Sequence, residues 1–136
     1  MKEEHVCLIC LGSNSNAAFH LTSAKHVLDS MFPGINWGEA METEAEGIYA
    51  DLPPYLNQLA LFHTSLDIAE LKTQLKQVEK RNGRTENCKK TGLIPLDIDL
   101  LVYDKQLLKP QDLKKRYMQL LISNFTSFPR FLFKNI

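Results

Sequence analysis

The first clear signal along the chain is an unbroken apolar run, Val6-Cys7-Leu8-Ile9-Cys10-Leu11, which predicts a short buried strand. Gly12-Ser13-Asn14-Ser15-Asn16 ends it with turn-forming residues. The period then changes: Leu21, Ala24, Leu28 and Met31 recur at helical spacing, with Asn16 as the expected N-cap and Pro33-Gly34 as the stop. Residues 35–43 are expected to form a second strand. Residues 44–54, with Gly47, Pro53 and Pro54, read as a loop of a length that often serves function. A largely apolar stretch at 55–64 predicts a third strand. The clearest helix spans 67–82, where Asp67 and Glu70 form a capping-box-like start and Ile68, Leu71, Leu75 and Val78 share one stripe. Asn82-Gly83 stops it. After a loop at 84–94, Pro95 opens a fourth strand at 96–103, and Asp104-Lys105-Gln106 reads as a turn. Residues 107–110 are ambiguous. Residues 123–136 hold four of the seven Phe without a clear period.

The order βαββαβ predicts the α+β class. Its commonest home is a ferredoxin-like two-layer sandwich, a mainly antiparallel sheet with helices on one face. A length of 136 residues fits a single domain over 1–136.

Composition narrows the function classes. Apolar residues make up 44% and charged residues 24%, as in an ordinary folded protein. Lys+Arg and Asp+Glu are equal at 16 each, so global charge gives no reason to expect nucleic acid or a membrane surface as partner. An aromatic-rich RNA-binding strand motif is also lacking. No stretch approaches the roughly 18 apolar residues of a membrane span, and the apolar run near Met1 is too short for a secretory segment. A cytoplasmic protein, monomer or weak dimer, is expected. Cys7 and Cys10 have CxxC spacing, but on a strand residues three apart point to opposite faces. They are expected to be core thiols in a reducing compartment.

The sharpest local feature is Leu96-Asp97-Ile98-Asp99-Leu100-Leu101-Val102-Tyr103. On a strand, Asp97 and Asp99 share one face, about 7 Å apart, while Leu96, Ile98 and Leu100 take the other. One reading is the solvated face of an amphipathic strand. The other is a magnesium site, because hard divalent cations take oxygen ligands and often use one or two carboxylates plus substrate phosphates. Arg84, Lys89 and Lys90 precede the pair by 7 to 13 positions, which would bring cations and carboxylates to one end of the sheet. Phosphoryl transfer needs that combination. In Tyr55-Leu56-Asn57, Tyr55 and Asn57 also share a face, offering a ring to stack and an amide to read a heterocycle edge.

Together these segments resemble the hydroxymethyl-dihydropterin pyrophosphokinase family of folate biosynthesis, whose members move pyrophosphate from ATP to the pterin's hydroxymethyl group and release AMP. The matching pieces are Gly12-Ser13-Asn14, Tyr55-Leu56-Asn57, Glu79 with Gly83-Arg84, and Leu96-Asp97-Ile98-Asp99-Leu100-Leu101 followed by Tyr103. They lie in family order across roughly residues 6–103. The resemblance implies that Asp97 and Asp99 bind two magnesium ions with ATP and that Arg84 acts with them. It makes Gly12, Thr43, Tyr55 and Asn57 the pterin site, and Arg84, Lys89, Lys90 and Arg116 the ATP contacts. Three departures stand beside it. Ile94 occupies the place of an expected Arg, and Thr91 that of an expected Trp. The ATP-holding Pro-His-Tyr segment has only partial counterparts, in Lys109-Pro110-Gln111 and Arg116-Tyr117-Met118. The alternative is therefore a catalytically impaired relative that binds a pterin, a nucleotide or another protein.

Overall fold

Six consecutive apolar residues leave neither face of a strand fit for water, so such a strand needs neighbours on both sides and cover above and below. The structure, a computed structural model, describes residues 3–44 and 51–130. It places that run inside β1 (His5–Ser13), the middle strand of the sheet. β1 pairs antiparallel with β4 (Tyr55–Thr64) on one side and β5 (Asp97–Tyr103) on the other. Outside β4 lie β2 (Asn36–Trp37) and β3 (Met41–Thr43); outside β5 lies β6 (Gln106–Leu107). The second strand expected at 35–43 is thus two short strands, both paired with β4, with Gly38 between them donating its N–H to Leu59 O at 2.8 Å.

The helices α1 (Ala17–Met31) and α2 (Ile68–Arg81) cover one face, giving the expected α+β two-layer unit. Their stripes, Leu21, Ala24 and Leu28 with Leu71, Leu75 and Val78, pack on Cys7, Ile9 and Leu11 of β1 and on Phe62 of β4. Asp67 caps α2 as the spacing predicts: it accepts from Glu70 N at 2.7 Å, and its own N–H donates to Glu70 Oε1 at 3.1 Å. Asn16 stands at the N-cap of α1, but with φ 48° and no side-chain bond to the helix. An Asn tolerates the left-handed turn, so its backbone conformation rather than its amide starts this helix.

The other face of the sheet has cover that the periodicity left unplaced. α4 (Pro110–Leu113) and α5 (Arg116–Ser123) follow β6 and lay Leu113, Met118, Leu121 and Ile122 over Leu8, Cys10, Leu59 and Leu101. Phe125 and Phe128 complete this second core, which places the start of the Phe-rich tail; residues 131–136 lie outside the described residues. Cys7 and Cys10 fall in different cores on opposite faces, as strand geometry required. Burial raises both thiols, that of Cys7 to about 12.

β5 carries one extra residue. Val102 pairs with Leu8 and Leu100 with Ile9, so Leu101 is the bulge, and it turns into the second core. The bulge lets β5 serve both cores at its far end while keeping Leu96, Ile98 and Leu100 on the first and both aspartates on the second face. The turn after β5 is tied back by Asp104, whose carboxylate accepts from Val6 N at 2.9 Å and pairs with His5 Nδ1 at 2.7 Å. Among the described residues no helix is long and apolar enough to cross a membrane.

If α5 is an integral layer, Met118→Ala removes a side chain that is 1% exposed and should cost about 2–5 kcal/mol. Urea unfolding monitored by circular dichroism measures this; a loss below about 1 kcal/mol would mean that α5 is not docked as described.

Candidate active site

Strand pairing decides which residues meet. In antiparallel register, directly opposed residues point to the same face, so Met41, Asn57, Gly12 and Asp97 form one row across β3, β4, β1 and β5. Thr43 and Tyr55 form the next row outward. Cys10 and Asp99 lie in the row further in. All these rows open on the second face, where α5 does not reach the end of the sheet, and a cleft of about 1180 Å³ remains there. Asn57 donates from Nδ2 to Thr43 Oγ1 at 2.6 Å, which fixes its amide over the strand. Gly12 is needed beside it: a Cβ there would lie 2.8 Å from Asn57 Oδ1.

One wall of the cleft is held by Asn14, which is 3% exposed. Its Nδ2 donates to Gly92 O at 2.8 Å, its Oδ1 accepts from Ile94 N at 2.6 Å, and its N–H donates to Ile94 O at 3.1 Å. Ser13 Oγ adds a bond to Ile94 O at 3.3 Å. The end of β1 is thereby stitched to the segment expected to be a plain loop at 84–94, which contains a short helix α3 (Asn87–Thr91). α3 ends at Gly92, whose φ of 74° suits a left-handed C-terminal residue.

The carboxylate pair sits where β5 has lost its outer neighbour, since β6 covers only Val102 and Tyr103. Glu79 of α2 reaches this bare edge and accepts from Ile98 N at 2.7 Å. Arg84 Nη1 binds Asp97 Oδ1 at 2.6 Å, Leu96 O at 3.1 Å and Glu79 Oε2 at 3.3 Å. Lys109 Nζ binds Asp99 Oδ1 at 3.0 Å. Burial, then the neighbouring charge of Asp97, pushes Asp99 up to about 6, against the opposing pull of Lys109. Burial raises Glu79 as well, while the Ile98 N–H and Arg84 hold it back. Burial works against the charge of Arg84, but the hydrogen bond and charge of Asp97 outweigh it and raise the guanidinium further.

Asp97 and Asp99 line two hollows. The first is the large cleft; the second, about 350 Å³, lies along the outer edge of β5 against Lys72, Lys76 and Glu79 of α2. The structure brings Gly12, Thr43, Tyr55, Asn57, Lys89, Arg116, Asp97 and Asp99 to the large cleft. Arg84 lines the second hollow only, and Lys90 lines neither. Residues 45–50 of the loop expected at 44–54 lie outside the described residues.

The sequence reading gave Glu79 no role and named Lys109, like Tyr117, only within partial counterparts of the ATP-holding segment. It assigned no site function to Asp112, Lys115 or Tyr117 itself, yet all five line one hollow or the other. A signal for the last three existed: Met118, Leu121 and Ile122 recur at i, i+3 and i+4, so the Lys115-Arg116 pair heads a helix whose apolar stripe must face the sheet.

Among the described residues no group of three or more His, Cys, Asp or Glu is arranged to hold a metal by itself. Two hard oxygen donors do suit magnesium when a substrate's phosphates complete the shell.

A model of the 7,8-dihydro-6-hydroxymethylpterin-pyrophosphokinase family matches residues 8–126. The "Folate synthesis bifunctional protein" of Arabidopsis thaliana is 41% identical over 63 residues, which cover 46% of this chain and 13% of that protein. The "Folate synthesis bifunctional protein, mitochondrial" of Pisum sativum is 30% identical over 104 residues, 76% of this chain and 20% of that protein. The matched segment therefore spans a fifth or less of either relative's length.

The stitch at Asn14 has a measurable consequence. Asn14→Ala leaves the buried Ile94 N–H without its acceptor and Gly92 O without its donor, a cost of about 2–3 kcal/mol. Denaturant unfolding should report that loss, with amide exchange accelerated at residues 92–94. An unchanged midpoint would show that the wall does not depend on this side chain.

Proposed function

The chain belongs to the 7,8-dihydro-6-hydroxymethylpterin-pyrophosphokinase family, and from that premise we propose that it transfers pyrophosphate from ATP to hydroxymethyl-dihydropterin in folate biosynthesis, releasing AMP. The observation that carries this reading is the position of Asp97 and Asp99 on the ridge between two hollows. Two substrates that exchange a phosphoryl group must meet at one point, and the carboxylates mark it.

In this reading the large cleft takes the pterin. Tyr55 and Asn57 lie on its floor, with Gly12 leaving room for the Asn57 amide and Thr43 fixing that amide's orientation. The nucleotide lies along the bare edge of β5 with its phosphates over the ridge. Arg84 supplies positive charge from the second hollow, Lys89 and Arg116 supply it from the large cleft, and Lys115 adds a fourth cation there. Lys90, expected as an ATP contact, has no such support.

Asp97 and Asp99 would hold two magnesium ions with ATP. Held there, magnesium would supply Lewis-acid charge to the phosphate oxygens. The chain's own residues orient the two substrates and hold positive charge where the AMP oxygen leaves. A monomer or weak dimer is part of the same proposal. We further propose a reducing compartment and take this to be the cytoplasm.

One observation favours a second reading, that of an impaired relative which binds without turning over. Ile94, 9% exposed, presents an apolar side chain to the cleft where the family pattern expects an Arg. Lys89, Lys115 and Arg116 line the same cleft, and the proposal requires them to replace that charge.

AMP release from ATP and magnesium, with and without hydroxymethyl-dihydropterin, separates the two readings. Pterin-dependent AMP is the expected outcome. Asp97→Asn and Asp99→Asn should each lower it about a thousandfold, equivalent to roughly 4 kcal/mol of lost transition-state stabilisation. Nucleotide binding by calorimetry with no AMP formed would establish the impaired relative instead.

A further inference from the structure

The two cations on the carboxylate pair are not held alike. Arg84 makes three bonds, to Asp97, Glu79 and Leu96 O, and is fixed at the end of α2. Lys109 makes one, to Asp99 at 3.0 Å, on a side chain that is 44% exposed. Its backbone is nonetheless well placed. Leu108 N donates to Leu101 O at 2.8 Å and Leu113 N to Lys109 O at 3.2 Å, so β6 and α4 fix the root of the stem beside β5. A fixed root with an ammonium tip held by a single bond is the arrangement of a movable counter-charge.

Charge accounting shows what the tip does. Around the ridge stand Asp97, Asp99 and Glu79 against Arg84 and Lys109, leaving one net negative charge with all five ionised. Lys72 and Lys76 of α2 face the same hollow, and Asp112 lies close enough to Lys109 to act on its charge. A bare divalent cation arriving here meets a carboxylate that already has an ammonium partner. It must displace Lys109 or stand beside it, and either costs electrostatic energy in a partly desolvated site. Polyphosphate changes the balance, because its oxygens accept the displaced ammonium and complete the metal's shell together.

Resting on the pyrophosphokinase reading, we propose that Lys109 is a positioning residue that keeps Asp99 closed to free divalent cations and releases it to the metal only when nucleotide phosphates arrive. Metal and nucleotide then bind as a unit, each strengthening the other by the same factor. Lys109 acts through Asp99 and through the phosphates, while Arg84 stays on Asp97 throughout.

The test reads metal binding rather than turnover. Mn2+ is titrated into the protein and the free ion followed by electron paramagnetic resonance, with and without α,β-methylene-ATP, which cannot be cleaved at the bond that breaks. Wild type should bind Mn2+ weakly alone and about tenfold or more tighter with the analogue, within the usual range of coupling between two ligands. Lys109→Met should bind Mn2+ alone about fivefold to tenfold tighter than wild type and lose most of the gain from the analogue. A merely structural role for Lys109 predicts weaker binding, so the gain is diagnostic. Lys109→Arg should restore the wild-type pattern.

Unchanged or weaker Mn2+ binding in Lys109→Met overturns the inference and leaves the metal assignment standing. Tightening by Lys109→Arg as large as that by Lys109→Met overturns it too, because charge would not be the cause. Absence of Mn2+ binding to wild type even with the analogue overturns both this inference and the assignment of Asp97 and Asp99.

Discussion

Everything in this molecule is arranged around the need to keep both faces of β1 from water. Cys7, Ile9 and Leu11 point one way and Leu8 and Cys10 the other, and all are buried. Burial of this kind stabilises by about 25 cal/mol per Å² of apolar surface, and no single helix layer can supply it on two sides. The sheet therefore carries α1 and α2 on one face and α4, α5 and the two Phe on the other. The cleft is the stretch of the second face that the shorter layer leaves open.

Polar chemistry gathers at that opening because strand ends change character there. Along β1 the apolar run gives way to Gly12, Ser13 and Asn14. β4 begins with Tyr55 and Asn57, and β5 with Asp97 and Asp99. Antiparallel register brings these three strand ends side by side. The bulge at Leu101 has a related effect, since it allows β5 to be apolar on both faces at one end without turning its aspartates inward at the other.

The carboxylates are tolerable in a half-buried site because other charges have been brought to them. Glu79 satisfies the bare N–H of the β5 edge and anchors Arg84, which neutralises Asp97. Lys109 does the same for Asp99. The position is strained electrostatically even so, as the raised proton affinities of Glu79 and Asp99 show.

The sequence by itself determined the elements whose periodicity is local. These are β1 from its continuous apolar run, α2 from its stripe and capping box, β4, and β5 with both aspartates on one face. It also separated Cys7 from Cys10, because alternation along a strand needs no tertiary information. The stripe of α5 was equally local, but it is short and follows an irregular stretch, so its signal is weak beside that of α2. Only the tertiary structure decided which cations meet the carboxylates. Lys90 is one residue from Lys89 and lines neither hollow, whereas Lys109, beyond a turn and the short strand β6, binds Asp99. It also decided that Asn14 closes the wall at Gly92 and Ile94. Periodicity records which face a residue takes on its own element. Where the tip of a long side chain meets a charge on another element depends on how the elements pack, and no local pattern encodes that.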